Sequence, residues 1–140
     1  MTQDPYVKVR NTVTELVNVA PPALAADGQV MTIRVEYPPG DPGIPPHRHP
    51  GGPCFGYIVS GEMVFELQGE APRVVRAGEA FWEPGGDAVH YQDANNRTDM
   101  PLVFIVTMIM SPGQEMLVFL DDDELQRSGW KRQAAAREEV

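Results

Sequence analysis

The sequence predicts a single all-β domain, folded as a sandwich or a barrel. Several segments alternate apolar and polar residues with a period of two, and such segments recur roughly every eight to twelve residues. The 140 residues also include 13 glycines and 14 prolines without a regular period. That composition is typical of many short elements joined by turns. The length suits one domain with a hydrophobic core.

Three alternating segments define the inward faces of predicted strands. In QVMTIRVEY the residues on one face are Met31, Ile33, Val35 and Tyr37. In EMVFEL they are Met63, Phe65 and Leu67. The segment NTVTELVNV at 11–19 alternates less regularly and is also predicted as a strand. The alternation predicts a core built from one face of each strand.

Two further runs are predicted as strands from their composition. CFGYIVSG at 54–61 is rich in β-favouring residues and ends in Ser60-Gly61, which predicts a tight hairpin turn into EMVFEL. LVFIVTMIM at 102–110 is almost continuously apolar and lies between Pro101 and Pro112. At this length it favours a strand covered on both faces over a helix.

The two ends of the chain differ from this pattern. Residues 1–12 are interpreted as an N-terminal arm that pairs with a partner subunit, and 13–120 as the β domain. Residues 121–140 begin with acidic side chains and continue into an Ala-rich stretch. They predict a C-terminal helical tail.

Charge and cysteine content exclude several classes of function. The chain has 20 acidic and 11 basic residues, a formal net charge of −9. Such a chain repels phosphate backbones and anionic lipid, so no nucleic-acid or membrane partner is expected. One cysteine cannot form an internal disulfide, and the N-terminus lacks the apolar core of a signal peptide. We therefore expect a soluble, cytoplasmic protein.

The histidines are the candidate metal ligands. His47 and His49 are two residues apart, which places both imidazoles on one side of an extended segment. His90 is the third and last histidine, and it follows a Pro-Gly-Gly turn at 84–86. Two parts of a barrel could bring the three together, where neutral imidazoles suit Fe(II), Zn, Cu, Ni or Mn. The alternative is that they are ordinary polar residues of the surface or core.

The glycines and prolines around these histidines resemble the two motifs of the cupin superfamily. The first motif is matched by Gly40, His47, His49, Cys54 and Gly61. The second is matched by Gly78, Pro84, Gly86, His90 and Asn95. The resemblance implies a double-stranded β-helix, or jelly-roll barrel, that commonly forms homodimers. It also implies one divalent transition metal on His47, His49 and His90, with iron first and Zn, Mn, Ni or Cu as alternatives.

The chain departs from the cupin motif at Cys54, where the family has a glutamate ligand. Three interpretations stay open: a small buried core residue, a thiolate ligand, or a neighbour of a three-histidine iron. The third follows from a local similarity to thiol dioxygenases such as cysteine dioxygenase. Without a carboxylate ligand, the metal would keep more positive charge and attract an anionic substrate.

Strand alternation also predicts the substrate pocket. An inward His90 places Gln92 inside, and an inward Cys54 places Ile58 inside. The predicted pocket residues are Tyr37, Gln92, Met31, Phe65 and Ile58. Glu83, before the turn, is interpreted either as a general base at the mouth or as an exposed turn carboxylate.

The predicted function is that of a small metal-dependent cupin, an iron oxygenase or dioxygenase acting on a small organic molecule in an apolar cavity. Two alternatives are a non-catalytic small-molecule sensor and a metal-dependent isomerase or lyase.

Overall fold

The computed structural model describes residues 14–19 and 26–127. Its strands, in chain order, are β1 (Gln29–Tyr37), β2 (His47–Arg48), β3 (Cys54–Ser60), β4 (Glu62–Leu67), β5 (Arg73–Arg76), β6 (Ala80–Glu83), β7 (Val89–Asn95), β8 (Leu102–Met110) and β9 (Val118–Phe119). One short helix, α1, covers residues 122–127. The predicted all-β class is therefore confirmed.

Two antiparallel sheets form a double-stranded β-helix. The four-stranded sheet has the order β1-β8-β3-β6, and the five-stranded sheet has the order β5-β4-β7-β2-β9. β8 lies between β1 and β3, and its first three side chains are all buried. The prediction that both faces of this strand are covered is confirmed for these three residues. The outward side chains later in the strand are half-buried.

The predicted hairpin between β3 and β4 is wrong. Both strands exist, but they lie in different sheets, so the chain passes from one sheet to the other at Gly61. Gly61 has φ +85°, and a Cβ there would lie 2.6 Å from the carbonyl oxygen of Pro101. Only glycine fits this corner without strain. The Ser60-Gly61 pair is typical both of a hairpin turn and of a corner between two sheets, so it cannot distinguish the two.

The core fills the space between the inner faces of the two sheets. The predicted inward residues of β4, Met63, Phe65 and Leu67, are buried there. They pack with residues of the other sheet, among them Ile58, Phe81, Leu102 and Phe104. The predicted alternation of β4 is thus confirmed, and so is that of β3, whose Ile58 is buried in this core.

The chain ends are only partly described. Residues 14–19 have no regular secondary structure, so this part of the predicted first strand is wrong. The N-terminal arm and the tail beyond residue 127 lie outside the described residues. α1 contacts β2 through Glu124, whose Oε2 accepts a hydrogen bond from Nη1 of Arg48 at 2.7 Å. Within the described residues, no helix has the length and apolar character needed to span a membrane.

Candidate metal centre

The three histidines meet because β2 and β7 are neighbouring antiparallel strands. Their register places His47 directly opposite His90, with ring centroids 4.9 Å apart. His49 follows on the same side of the chain, its ring centroid 4.7 Å from that of His47. All three side chains are buried. The structure therefore brings together the three predicted imidazoles inside the barrel.

Glu83 joins them from the other sheet. Its Oε1 lies 3.1 Å from Nε2 of His49 and 2.9 Å from Nδ1 of His90. One donor atom from each of His47, His49, Glu83 and His90 lies within 4.8 Å of the others. Glu83 is 5% exposed, so the interpretation as an exposed turn carboxylate is wrong. The available signal was its alternation with Phe81, which places both on the inner face of β6.

Backbone carbonyls fix the orientation of two imidazoles. Nδ1 of His47 donates to the carbonyl of Pro45 at 2.7 Å, and Nδ1 of His49 donates to the carbonyl of Met116. Each Nε2 of a neutral ring then carries a lone pair, and the two Nε2 atoms are 3.1 Å apart. Lone pairs facing each other at this distance repel unless a cation, either a proton or a metal ion, lies between them. Carbonyl-oriented imidazoles are the usual arrangement around protein-bound metals.

The remaining donors also fit a metal ion. Neither ring nitrogen of His90, nor Oε1 of Glu83, makes a hydrogen bond of normal geometry, although all three atoms are buried. Buried polar atoms are normally paired. A divalent cation among three imidazoles and one carboxylate would pair Oε1 of Glu83 and one ring nitrogen of His90.

Burial and mutual contact set the charges of the cluster. Burial lowers the pKa of His47 to about 4, so this ring is neutral at neutral pH. Burial also acts to lower the pKa of His49, but the carboxylate of Glu83 next to its Nε2 outweighs burial and raises this pKa. Burial opposes ionisation of Glu83, yet His49 and His90 hold its pKa well below the usual range. Glu83 is therefore a carboxylate, the form that binds metals.

Cys54 is fully buried next to this cluster. Burial and the charge of Glu83 raise the pKa of its thiol. Its side chain faces the cavity as a neutral thiol and is not one of the four clustered donors. This placement favours the interpretation of Cys54 as a small core residue over that of a thiolate ligand.

A cavity of about 260 Å³ adjoins the four donors. The structure places Tyr37 and Met31, two of the predicted pocket residues, in its wall. Phe65 and Ile58 are instead buried in the core outside this wall. Phe65 packs against the ring of His90, with centroids 4.8 Å apart. The wall is largely apolar.

Gln92 lies outside the cavity because β7 contains a bulge. In the pairing with β4, Glu66 faces Gln92 but the next residue, Leu67, faces His90, so the register shifts by one residue. The shift reverses the alternation that predicts an inward Gln92. Gln92 Nε2 donates to Oε1 of Glu66 at 2.8 Å. Asp93 lines the cavity in its place.

Asp93 and Tyr37 form a buried polar pair in the cavity wall. The hydroxyl of Tyr37 donates to Oδ2 of Asp93 at 2.8 Å, and the backbone N–H of Ile44 donates to Oδ1 at 2.9 Å. Burial raises the pKa of Asp93. Burial, and then the charge of Asp93, raise the pKa of Tyr37, which is therefore a phenol. Sequence reasoning missed Asp93 because a bulge depends on the partner strand.

Comparisons with known proteins agree with this fold. The cupin domain family model matches residues 33–108. The DMSP lyase DddQ from Ruegeria pomeroyi has 26% sequence identity and a TM-score of 0.52, over 64% of this chain and 42% of that one. An oxalate oxidase in complex with the substrate analogue glycolate has 26% identity and a TM-score of 0.54, over 77% of this chain and 62% of that one. The chain thus spans less than two thirds of either protein.

A third structure supports the fold alone. It is an uncharacterized conserved protein with a double-stranded β-helix domain from Klebsiella pneumoniae, with 22% identity and a TM-score of 0.53. The match covers 66% of this chain and 76% of that one. No curated protein sequence matches the chain.

Proposed function

This chain belongs to the cupin domain family, and we propose that it is a metal-dependent enzyme that acts on a small organic molecule. The observation that carries the proposal is the position of four convergent donors at the wall of a largely apolar cavity. Oriented imidazoles and an ionised carboxylate next to a small apolar cavity are what a metal-assisted reaction requires.

The proposed metal ligands are His47, His49, His90 and Glu83. A donor set of three imidazoles and a hard carboxylate suits Fe(II) and Mn(II), whereas a thiolate would have favoured Zn or Cu(I). The metal would polarise a bound oxygen atom of the substrate and, as iron, allow chemistry with dioxygen. We propose iron as the native metal. We also propose an oxygen-dependent reaction, and the similarity to an oxalate oxidase supports this second point alone.

The residues of the chain would prepare the substrate for this reaction. Much of the cavity wall is apolar, and Tyr37 is one of its polar residues. Asp93 orients that hydroxyl through the 2.8 Å hydrogen bond. We propose that Tyr37 positions the substrate and that Asp93 holds Tyr37 in place.

A lyase or isomerase is the second candidate. Asp93 lines the cavity as a buried carboxylate with a raised pKa, and such a group is suited to accept a proton from a substrate carbon. The similarity to a DMSP lyase supports this alternative. Turnover that continues without dioxygen would favour the lyase, and turnover that needs dioxygen would favour the oxygenase.

We also propose that the protein is a cytoplasmic homodimer. β1 lies at an edge of its sheet and is nine residues long. Its Val30 points outward and is 67% exposed. An edge strand of this length favours pairing with a second copy. Sedimentation equilibrium at micromolar concentration tests the dimer.

Metal analysis of protein purified without added metal tests the proposal. We expect close to one transition metal per chain and, for His49→Ala, less than about a tenth of that amount. Gln92→Ala, outside the cavity, is the matched control and should retain the metal. Protein that contains no metal, takes up none from Fe(II) or Mn(II), and is stabilised by a small molecule alone would instead indicate a non-catalytic sensor.

A further inference from the structure

The inner face of the four-stranded sheet forms a sulfur-rich wall beside Glu83. Across this sheet, Glu83 faces Cys54, Cys54 faces Met108, and Met108 faces Met31. All four side chains line the cavity. The next row on the same face contributes Ile33, Val106 and Phe81. The rest of a ligand held at the four donors would therefore contact thioethers, aliphatic groups and an aromatic ring.

The same wall offers no positive charge to a ligand. Among the residues that the structure describes, neither lysine nor arginine lines the cavity. Apart from the proposed ligands, the acid in the wall is Asp93, and both of its oxygens already accept hydrogen bonds. A second anionic group on a ligand would meet either apolar atoms or this carboxylate. Burying an unpaired charge in such surroundings is strongly unfavourable.

We propose that the substrate has a single anionic, metal-binding head group and a short apolar body, and that the cavity rejects molecules with a second anionic group at the far end. This inference rests on the proposed function, because the metal is what would hold the head group. The volume of about 260 Å³ limits the body to a small one. The absence of a positively charged side chain from the wall would then contribute to specificity as much as the attractive contacts do.

Pentanoate and glutarate test this inference, because they have the same carbon chain and differ by one terminal carboxylate. Binding is measured by titration calorimetry on protein loaded anaerobically with Fe(II), after its metal content has been determined. We expect pentanoate to bind at least about 100-fold more tightly than glutarate. Equal or tighter binding of glutarate would overturn the inference, as would loaded protein that binds neither. Protein that takes up no metal would overturn the proposed function as well.

A cation placed in the wall should reverse the preference. Ile33 lines the cavity and is 36% exposed, so Ile33→Lys can be accommodated at the mouth. We expect it to tighten glutarate binding about tenfold and to weaken pentanoate binding. Ile33→Met keeps a neutral side chain of similar length, and Val30→Lys adds the same charge outside the cavity. Both controls should keep the preference for pentanoate, and a similar gain in Val30→Lys would contradict the inference.

Discussion

Glu83 and Cys54 face each other as register partners on β6 and β3, and it is the carboxylate that reaches the three imidazoles. The cupin motif places its glutamate at the position of Cys54. In this chain the negative charge stands on the neighbouring strand, on the same inner face of the sheet. We propose that Glu83 takes the role of that glutamate from a different place in the sequence.

Substitutions of the two members of this pair should have unequal effects on metal binding. Glu83→Gln keeps the size of the side chain but loses the charged donor, so metal affinity should fall by about 100-fold or more. Cys54→Ala should leave the affinity within about threefold and lower the free energy of unfolding by about 1 kcal/mol. Competition titrations with a metal chelator measure both. Loss of metal in Cys54→Ala would instead identify the thiol as a ligand.

The double variant Cys54→Glu/Glu83→Gln should regain metal affinity. Because positions 54 and 83 are adjacent partners, a carboxylate at position 54 would approach the same cluster from β3. We expect recovery of at least about tenfold over Glu83→Gln alone, in the same titrations. A double variant as weak as Glu83→Gln would mean that the two positions are not equivalent.

Asp93→Asn should change how stability depends on pH. Burial raises the pKa of Asp93 above its ordinary value of 3.8. In the native protein its contribution to stability is therefore full below pH 3.8 and is lost as pH rises through the folded pKa. The uncharged amide of the variant does not lose stability in this way. The free energy of unfolding of the variant, compared with that of the native protein, should therefore rise between about pH 4 and 7. Urea unfolding at both pH values measures the difference, and a constant or opposite difference would contradict the prediction.

Tyr37→Phe should destabilise the protein without releasing the metal. The change leaves Oδ2 of Asp93 without the 2.8 Å hydrogen bond from the phenol. The loss of a buried hydrogen bond to a charged group costs about 2 kcal/mol of unfolding free energy. Tyr57→Phe is the matched control, because Tyr57 is 42% exposed, and it should change stability by less than about 0.5 kcal/mol. Equal effects in urea unfolding would refute the role of the buried pair.

Gly56→Ala should disturb the cavity wall through Phe81. A Cβ at Gly56 would lie 2.0 Å from Cζ of Phe81, whose ring packs against Phe65 and Phe104. Such overpacking costs about 2 kcal/mol or more. Phe81→Leu in the same chain should recover part of this loss, because the shorter side chain makes room. A double-mutant cycle by urea unfolding tests the coupling, and purely additive losses would exclude the contact.

Local patterns predicted much of this fold, and the errors occur where distant residues decide the geometry. The inward side chains of β3 and β4 follow from alternation, which needs no knowledge of the partner strand. The position of Gln92 depends on a register shift opposite Glu66, and the corner at Gly61 depends on which sheet each strand joins. These relationships are set by tertiary structure.

Because of the bulge in β7, the position of His90 and the orientation of the cavity-wall residues after it can change independently of each other. It lies after His90, so the pairing of His90 with His47 does not depend on it, whereas the side chains beyond it change sides. Without the bulge, and with the same sequence, regular alternation after His90 would turn Gln92 inward and Asp93 outward, which would exchange an acid for an amide at the polar end of the cavity while the imidazole is kept. A register shift within a strand can therefore change the chemistry presented to a substrate as effectively as a substitution, in proteins whose motifs look alike.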